Sequence, residues 1–173
     1  MPAVTGPDNI QKDERYIRMV NQYQGTLLRT CYLLLRDRAL AEDAVQETFL
    51  KAYSAMDSFR GESGEKTWLT HIAVNTVRDM RRKAWFRLVD RRVTPEDLPE
   101  AAVPFAEKDD SLTREIARLP QREKEALLLY FYQDMTMQEI AQALGLAVST
   151  VSHRLKRAEE RLKKAMTGGC DDA

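Results

Sequence analysis

The 173-residue chain predicts an all-α protein: two small helical domains joined by an acidic linker, the C-terminal one containing a helix-turn-helix. Three observations predict it. Apolar residues recur at helical steps of three and four in several separate segments, and no segment sustains the alternation of a strand. A stretch at residues 93–110 holds Pro95, Pro99 and Pro104 among acids and few large apolar residues. Proline stiffens such a segment and like charges extend it, so it reads as a flexible acidic linker. The last third of the chain pairs two short helical patterns across a glycine. The expected division is 1–92, 93–110 and 111–173, the last with a short mobile tail.

Residues 1–12 are polar with Pro2, Gly6 and Pro7, and predict a mobile arm. Tyr16, Ile17, Val20, Tyr23, Leu27, Cys31, Leu34 and Leu35 then mark a first amphipathic helix. A second runs from about residue 40 to 56 and buries Ala41, Val45, Phe49, Ala52 and Met56. The segment FRGESGEK, residues 59–66, reads as a loop on Gly61 and Gly64. A third helix runs from about Thr67 to beyond Lys83, with Trp68, Leu69, Ile72, Ala73, Val77 and Met80 inward. Beyond the linker come a short helix near Ser111, a break at Pro120 and a helix from about Arg122 to Tyr132.

Within residues 135–166, Thr136 and Glu139 have the spacing of a capping box. Ile140, Ala141 and Leu144 share one face, and Gly145 permits the left-handed turn that ends the helix. Ser149 is the expected cap of the next helix. Its apolar stripe is Val151, Leu155, Ala158 and Leu162; Ser149, His153, Lys156 and Glu160 lie opposite, flanked by Ser152 and Arg157. Such a face suits the major groove of DNA, or is the solvated side of an ordinary helical hairpin.

Formal net charge is zero, which excludes a uniformly basic coat. Its distribution is uneven: residues 77–92 carry net +5, residues 95–115 net −5 and residues 153–164 net +4. Two basic blocks separated by acid suggest two polyanion-facing modules. Cys31 falls in an apolar pattern and Cys170 in a polar tail, so no disulfide framework is implied and a reducing compartment fits. No opening run resembles a signal peptide, and no stretch is long enough to span a membrane. The expected location is cytoplasmic, without membrane insertion.

On the second helix, Asp43, Gln46, Glu47 and Leu50 lie opposite or beside the buried stripe. An apolar side chain among acids is either a scattered surface leucine or part of a protein-docking surface. The third helix and its preceding loop bring together Arg60, Lys66, Asn75, Arg78, Arg81, Arg82 and Lys83, with Trp68 nearby and Trp85 and Phe86 beyond. Cations interleaved with aromatics suit single-stranded nucleic acid. The alternative is a core Trp68, in register with the buried stripe, under solvated arginines. Histidines number two, and His71 reads as a polar surface or boundary residue. Nothing brackets a nucleophile with a base, and no ligand spacing for a metal or phosphate loop for a cofactor is present, so no catalysis, metal or cofactor is expected.

Three segments in this order, AEDAVQETFLKAY, FRGESGEKTWLTHIAVNTVRDMRRK and LPQREKEALLLYFYQDMTMQEIAQALGLAVSTVSHRLKRAEERL, resemble the extracytoplasmic-function (ECF) sigma factors of bacterial RNA polymerase, over about residues 16–164. The resemblance implies docking on the polymerase clamp helices through Asp43, Gln46, Glu47 and Leu50. It implies that the loop and third helix melt and hold the promoter's −10 element, with Asn75, Arg78, Arg81 and Arg82 near the strand. The C-terminal module would read the −35 element and bind the polymerase flap, with Ser149, Thr150, Ser152, His153, Arg154, Lys156 and Arg157 as candidate contacts. An anti-sigma factor is a further implied partner. Where family members often carry Lys or Arg after the Ser-Thr-Val turn, this chain has Ser152 and His153, so a −35 preference does not transfer from relatives. A stand-alone helix-turn-helix regulator is the alternative; in its response-regulator form it would need a phosphoacceptor domain of alternating strands and helices, which the N-terminal half lacks.

Overall fold

The computed structural model describes residues 7–90 and 111–168. Seven α-helices follow in order there: α1 (Pro7–Leu35), α2 (Arg38–Ala55), α3 (Glu65–Asp90), α4 (Ser111–Arg118), α5 (Gln121–Phe131), α6 (Met137–Leu144) and α7 (Val148–Thr167). The linker prolines and Cys170 lie outside the described residues, as do the side chains of Trp85 and Phe86.

The helix α1 begins at Pro7, inside the expected arm of residues 1–12. Proline suits a first helical position, where its missing N–H has no partner to lose. A chain reversal follows α1: Arg36 takes a left-handed conformation (φ 57°), and Asp37 caps α2 by accepting from the Leu40 amide at 2.9 Å. The buried face of α2 is the expected one, Ala41, Val45, Phe49 and Ala52, continued by Met56 in a short 3-10 turn at Met56–Ser58. On α1 the expected Leu27, Cys31 and Leu34 are buried and Met19 joins them, while Ile17 is 57% exposed. The stripe Tyr16, Val20 and Tyr23 packs against the core, Tyr16 on Phe49 and Tyr53 of α2, and Ile17 sits one helical step to its side.

The loop after the 3-10 turn is shorter than expected: Glu65 and Lys66 form the first turn of α3. Glu65 is drawn inward by Arg15 and Arg18 of α1, both 2.9 Å from its Oε1. An acid in a first turn also suits the positive end of the helix. Gly61, at φ +73°, makes the bend that only glycine adopts without strain. Phe59 then stacks on Trp68, ring centres 4.5 Å apart, which places Trp68 in the wall of the module.

In the C-terminal half, Thr136 and Glu139 form the expected capping box and Gly145 takes φ 66°. The start of α7 differs from expectation. Ala147 holds the cap position, its carbonyl accepting from Thr150 and Val151, and Ser149 lies in the first turn, exposed. The backbone after Gly145 already closes this turn, so no side-chain cap is needed. Val151, Leu155 and Ala158 are buried as the stripe requires.

The helices α1, α2 and α3 pack on one another; α5, α6 and α7 form the second group, with α4 against α7. The two groups also meet, α3 against α6 and α1 against α5. Their cores merge: Leu127, Leu128, Ile116 and Ala158 join the cluster built by Met19, Leu27, Phe49 and Leu69, while Val74 of α3 is buried with Ile140, Leu144 and Val151. This contact explains why α5 is buried over nearly its whole circumference, Glu123, Lys124 and Glu125 included.

Candidate nucleic-acid interface

Two polar surfaces gather the candidate residues. The first is a row on α3. His71, Asn75, Arg78 and Arg82 recur at steps of four, three and four and so share one face. His71 is held by an acceptor and a donor at once. Its Nδ1 lies 2.7 Å from the Ala143 carbonyl, which can only accept, and its Nε2 lies 3.1 Å from the Asn75 amide nitrogen, which can only donate. That pattern matches a ring that donates from Nδ1 and accepts at Nε2. Arg78 engages Glu125 of α5 through two bonds, Nη2 to Oε2 at 2.7 Å and Nε to Oε1 at 3.3 Å. Lys66 donates to the Gln133 carbonyl, and Gln133 in turn donates to Thr30 Oγ1 at 3.0 Å. Arg82 pairs with Asp79 at 2.8 Å. Arg60, Arg81 and Lys83 are exposed.

The second surface is the outer face of α7. Ser149, Ser152, His153, Lys156 and Arg157 are exposed, and Thr150 is half-buried. Arg157 lies 3.7 Å from Glu123, and Arg161 one turn on lies 2.9 Å from it. Arg154 turns the other way: its Nη1 is buried, and the guanidinium pKa is lowered, first by burial and then by Arg122 and Arg78, against a raising effect of Glu125. An arginine keeps its charge regardless. It therefore adds positive potential beside Glu125 rather than on the outer face.

A third surface lies on α2. Asp43, Gln46 and Leu50 are exposed on α2, Leu50 at 66%, and Glu47 is half-buried with Lys51 Nζ 2.8 Å away. The residues that sequence reasoning missed are those facing the other module: Glu125, Gln133, Thr30 and Val74. A buried acid in EKEALLL looks like any first-turn helix acid until its partner on α3 is known.

A capped helix-turn-helix with a small polar reading face, joined to a helix bearing a cationic row, defines a DNA-binding transcription protein. The particular family follows from the comparisons. Residues 19–87 match sigma-70 region 2, and residues 109–162 match sigma-70 region 4. The chain is similar to the RNA polymerase sigma-H factor of Pseudomonas aeruginosa, 32% identical over 162 residues, 86% of this chain and 84% of that one. It is 29% identical over 167 residues to the ECF RNA polymerase sigma factor SigW of Bacillus subtilis, 88% and 89% of the two chains. Its fold resembles that of the sigma factor RpoE of Bartonella quintana, solved in complex with the anti-sigma factor NepR, at a TM-score of 0.76, 24% identity, and 92% and 99% coverage. The chain belongs to the sigma-70 family, in its extracytoplasmic-function group, and is a sigma factor that directs transcription by RNA polymerase. No helix of the described residues is long and apolar enough to cross a membrane.

Proposed function

We propose that residues 1–92 dock on core RNA polymerase and engage the −10 element, that 111–173 read the −35 element and bind the flap, and that 93–110 tether the two. The observation that carries this reading is the face of α7, where Ser149, Ser152, His153 and Lys156 stand exposed at the start of a helix that a capping box and Gly145 orient. Short polar side chains there allow the helix backbone to approach base edges closely, and lysine adds phosphate attraction. The −10 contacts are Arg60, Lys66, Asn75, Arg78, Arg81, Arg82 and Lys83; cationic side chains track a melted strand's phosphates. Thr150 and Arg157 flank the −35 face, and Arg154 is a −35 candidate whose guanidinium turns inward beside Glu125.

The docking face is Asp43, Gln46, Glu47 and Leu50. Its outward leucine offers an anchor and its acids select a basic partner surface. The protein works without an active site of its own, in the cytoplasm, and an anti-sigma factor is its regulator; the solved complex of the similar Bartonella quintana protein supports that partner class.

Run-off transcription with core polymerase on a promoter library randomised at −35 and −10 tests the reading. A product dependent on both elements is expected. DNA binding of equal specificity with and without core polymerase would instead identify a stand-alone regulator.

A further inference from the structure

An acid in the first turn of a helix ordinarily faces water and meets the positive end of the helix dipole. Glu123, in the first turn of α5, does not: its side chain is 10% exposed, on a helix that packs against α7. Two guanidiniums of α7 converge on this carboxylate. Arg161 Nε stands 2.9 Å from Oε2, and Arg157 Nε stands 3.7 Å from Oε1. Two cations against one acid leave a net +1, with the acid beneath and both arginines about half exposed outside it. Both contacts run through Nε. A guanidinium held there keeps its paired Nη groups for a second acceptor, and that outer edge matches two oxygens of a phosphate. Long side chains lose freedom when a ligand orders them, and a buried acid that gathers them beforehand reduces that loss.

The place of the pair on α7 indicates its ligand. Ser149, His153, Arg157 and Arg161 recur at steps of four and form one row along the helix. From His153 to Arg161 the helix rises about 12 Å, close to the width of the major groove. A helix that brings His153 to the base edges therefore carries Arg157 and Arg161 out to the groove wall, where the phosphates lie.

We propose that Glu123 is a positioning residue for a phosphate clamp, made by Arg157 and Arg161, on the duplex backbone beside the −35 element. The proposal rests on the −35 reading of α7 given above and adds Glu123 and Arg161 to it. Phosphate contacts carry no sequence information themselves, but they fix the register in which base edges are met. An acid buried beneath the clamp thereby strengthens specific binding, although its charge alone repels DNA.

The test uses holoenzyme assembled from the full chain and core polymerase. Its affinity is measured for two promoter duplexes, one with the −35 sequence preferred in the run-off library and one with that sequence scrambled. Glu123→Gln keeps the shape of the side chain and removes the charge that gathers the arginines. Affinity for the preferred duplex should fall about fivefold as the clamp loses its preorganisation, while affinity for the scrambled duplex holds or rises. Glu115→Gln, in the Arg118 pair on α4, makes the same change of net charge and should leave the ratio of the two affinities unchanged. Arg161→Gln should weaken both duplexes alike, about threefold, and flatten the log–log salt dependence by roughly one unit. Added to Glu123→Gln, it should cost less than it does alone, because the clamp is already loose; an acid that merely stabilised the fold would leave the two effects additive. An unchanged salt slope in Arg161→Gln, or additive effects in the double variant, overturns the clamp. If Glu123→Gln does not fold, Arg157→Gln and Arg161→Gln decide: a shallower slope in each upholds the clamp, and an unchanged slope in either overturns it. The −35 reading is judged separately on the wild type. Equal affinity for the two duplexes would remove that reading, whereas a clear preference with an unchanged slope in Arg161→Gln would remove the clamp alone.

Discussion

His153 projects from α7 into solvent between Ser152 and Arg154, four residues after Ser149 on the same face. An imidazole there offers a donor or an acceptor to a base edge, whereas Lys163 and Lys164, three turns on, offer only charge. A base contact alters preference at one position; a phosphate contact weakens all sites alike. His153→Ala should therefore change the −35 logo at one or two positions and cost about 1–3 kcal/mol on the preferred site. Lys163→Ala with Lys164→Ala should lower affinity evenly. Selection from a −35 library checks both, and identical logos for wild type and His153→Ala would move the reading role to Ser152 and Lys156. On α2, Glu47→Lys with Leu50→Ala should weaken core-polymerase binding about tenfold or more with helical content unchanged, because a truncated anchor commonly costs about 1–2 kcal/mol. Unaltered affinity in a titration of labelled polymerase would discard this face.

The helices respond to their ends and their charges. In α6, Glu139 is held below its ordinary pKa of 4.5, first by its hydrogen bond from the Thr136 backbone and then by the Thr136 hydroxyl. A depressed carboxyl adds stability above its unfolded pKa and loses it as pH falls through the folded value. Thr136→Ala should thus cost about 1 kcal/mol at neutral pH. The deficit should shrink in urea titrations below pH 4.5, where wild type loses its own carboxylate contact. In α3, Arg81 is exposed and Arg82 meets Asp79 at 2.8 Å one turn away, so both are open to a melted strand under the proposed −10 reading. Replacing both by Ala in holoenzyme should reduce promoter opening and flatten the log–log salt dependence by roughly one unit per lost contact. Element identities were legible because three- and four-residue steps report helices directly. Their first turns were less legible: Glu65 was decided by Arg15 and Arg18 across the module, which no local pattern contains, and Ser149 by the Ala147 carbonyl, which takes the cap position two residues earlier.

For the molecule as a whole, two buried groups set the alkaline stability profile. Lys124 lies under α4, donating to the Ala117 carbonyl at 2.7 Å, and its pKa is lowered to about 8, by burial first and then by Arg81 and Arg36. A lysine depressed on folding penalises the fold while protonated, so stability rises as pH climbs from about 8 toward the ordinary 10.5. Cys31 works the other way. Burial pushes its thiol up to about 12 from 9.0, so above 9.0 the unfolded chain ionises first and stability falls. Denaturant midpoints should therefore rise between about pH 8 and 9, level where the two effects oppose, and decline beyond 10.5. Lys124→Met should abolish the initial rise. A monotonic decline from pH 8 in wild type would contradict the burial of Lys124.

By itself the sequence determined that the chain is helical, that a proline-rich acidic segment separates two basic modules, and which faces of α2, α6 and α7 turn inward. These features are local, since a periodic stripe, a capping box or a glycine turn is encoded within a few residues. Only the tertiary structure decided that α5 is buried all round from Glu123 to Leu129, that Val74 belongs to the far core, and that Lys66, His71 and Arg78 face the second module. Each depends on a partner some 47 to 72 residues away, such as Glu125 for Arg78 and Ala143 for His71. A charged side chain reads the same in sequence whether water, a phosphate or a carboxylate completes it, and the packing of α3 against α5 and α6 makes that choice.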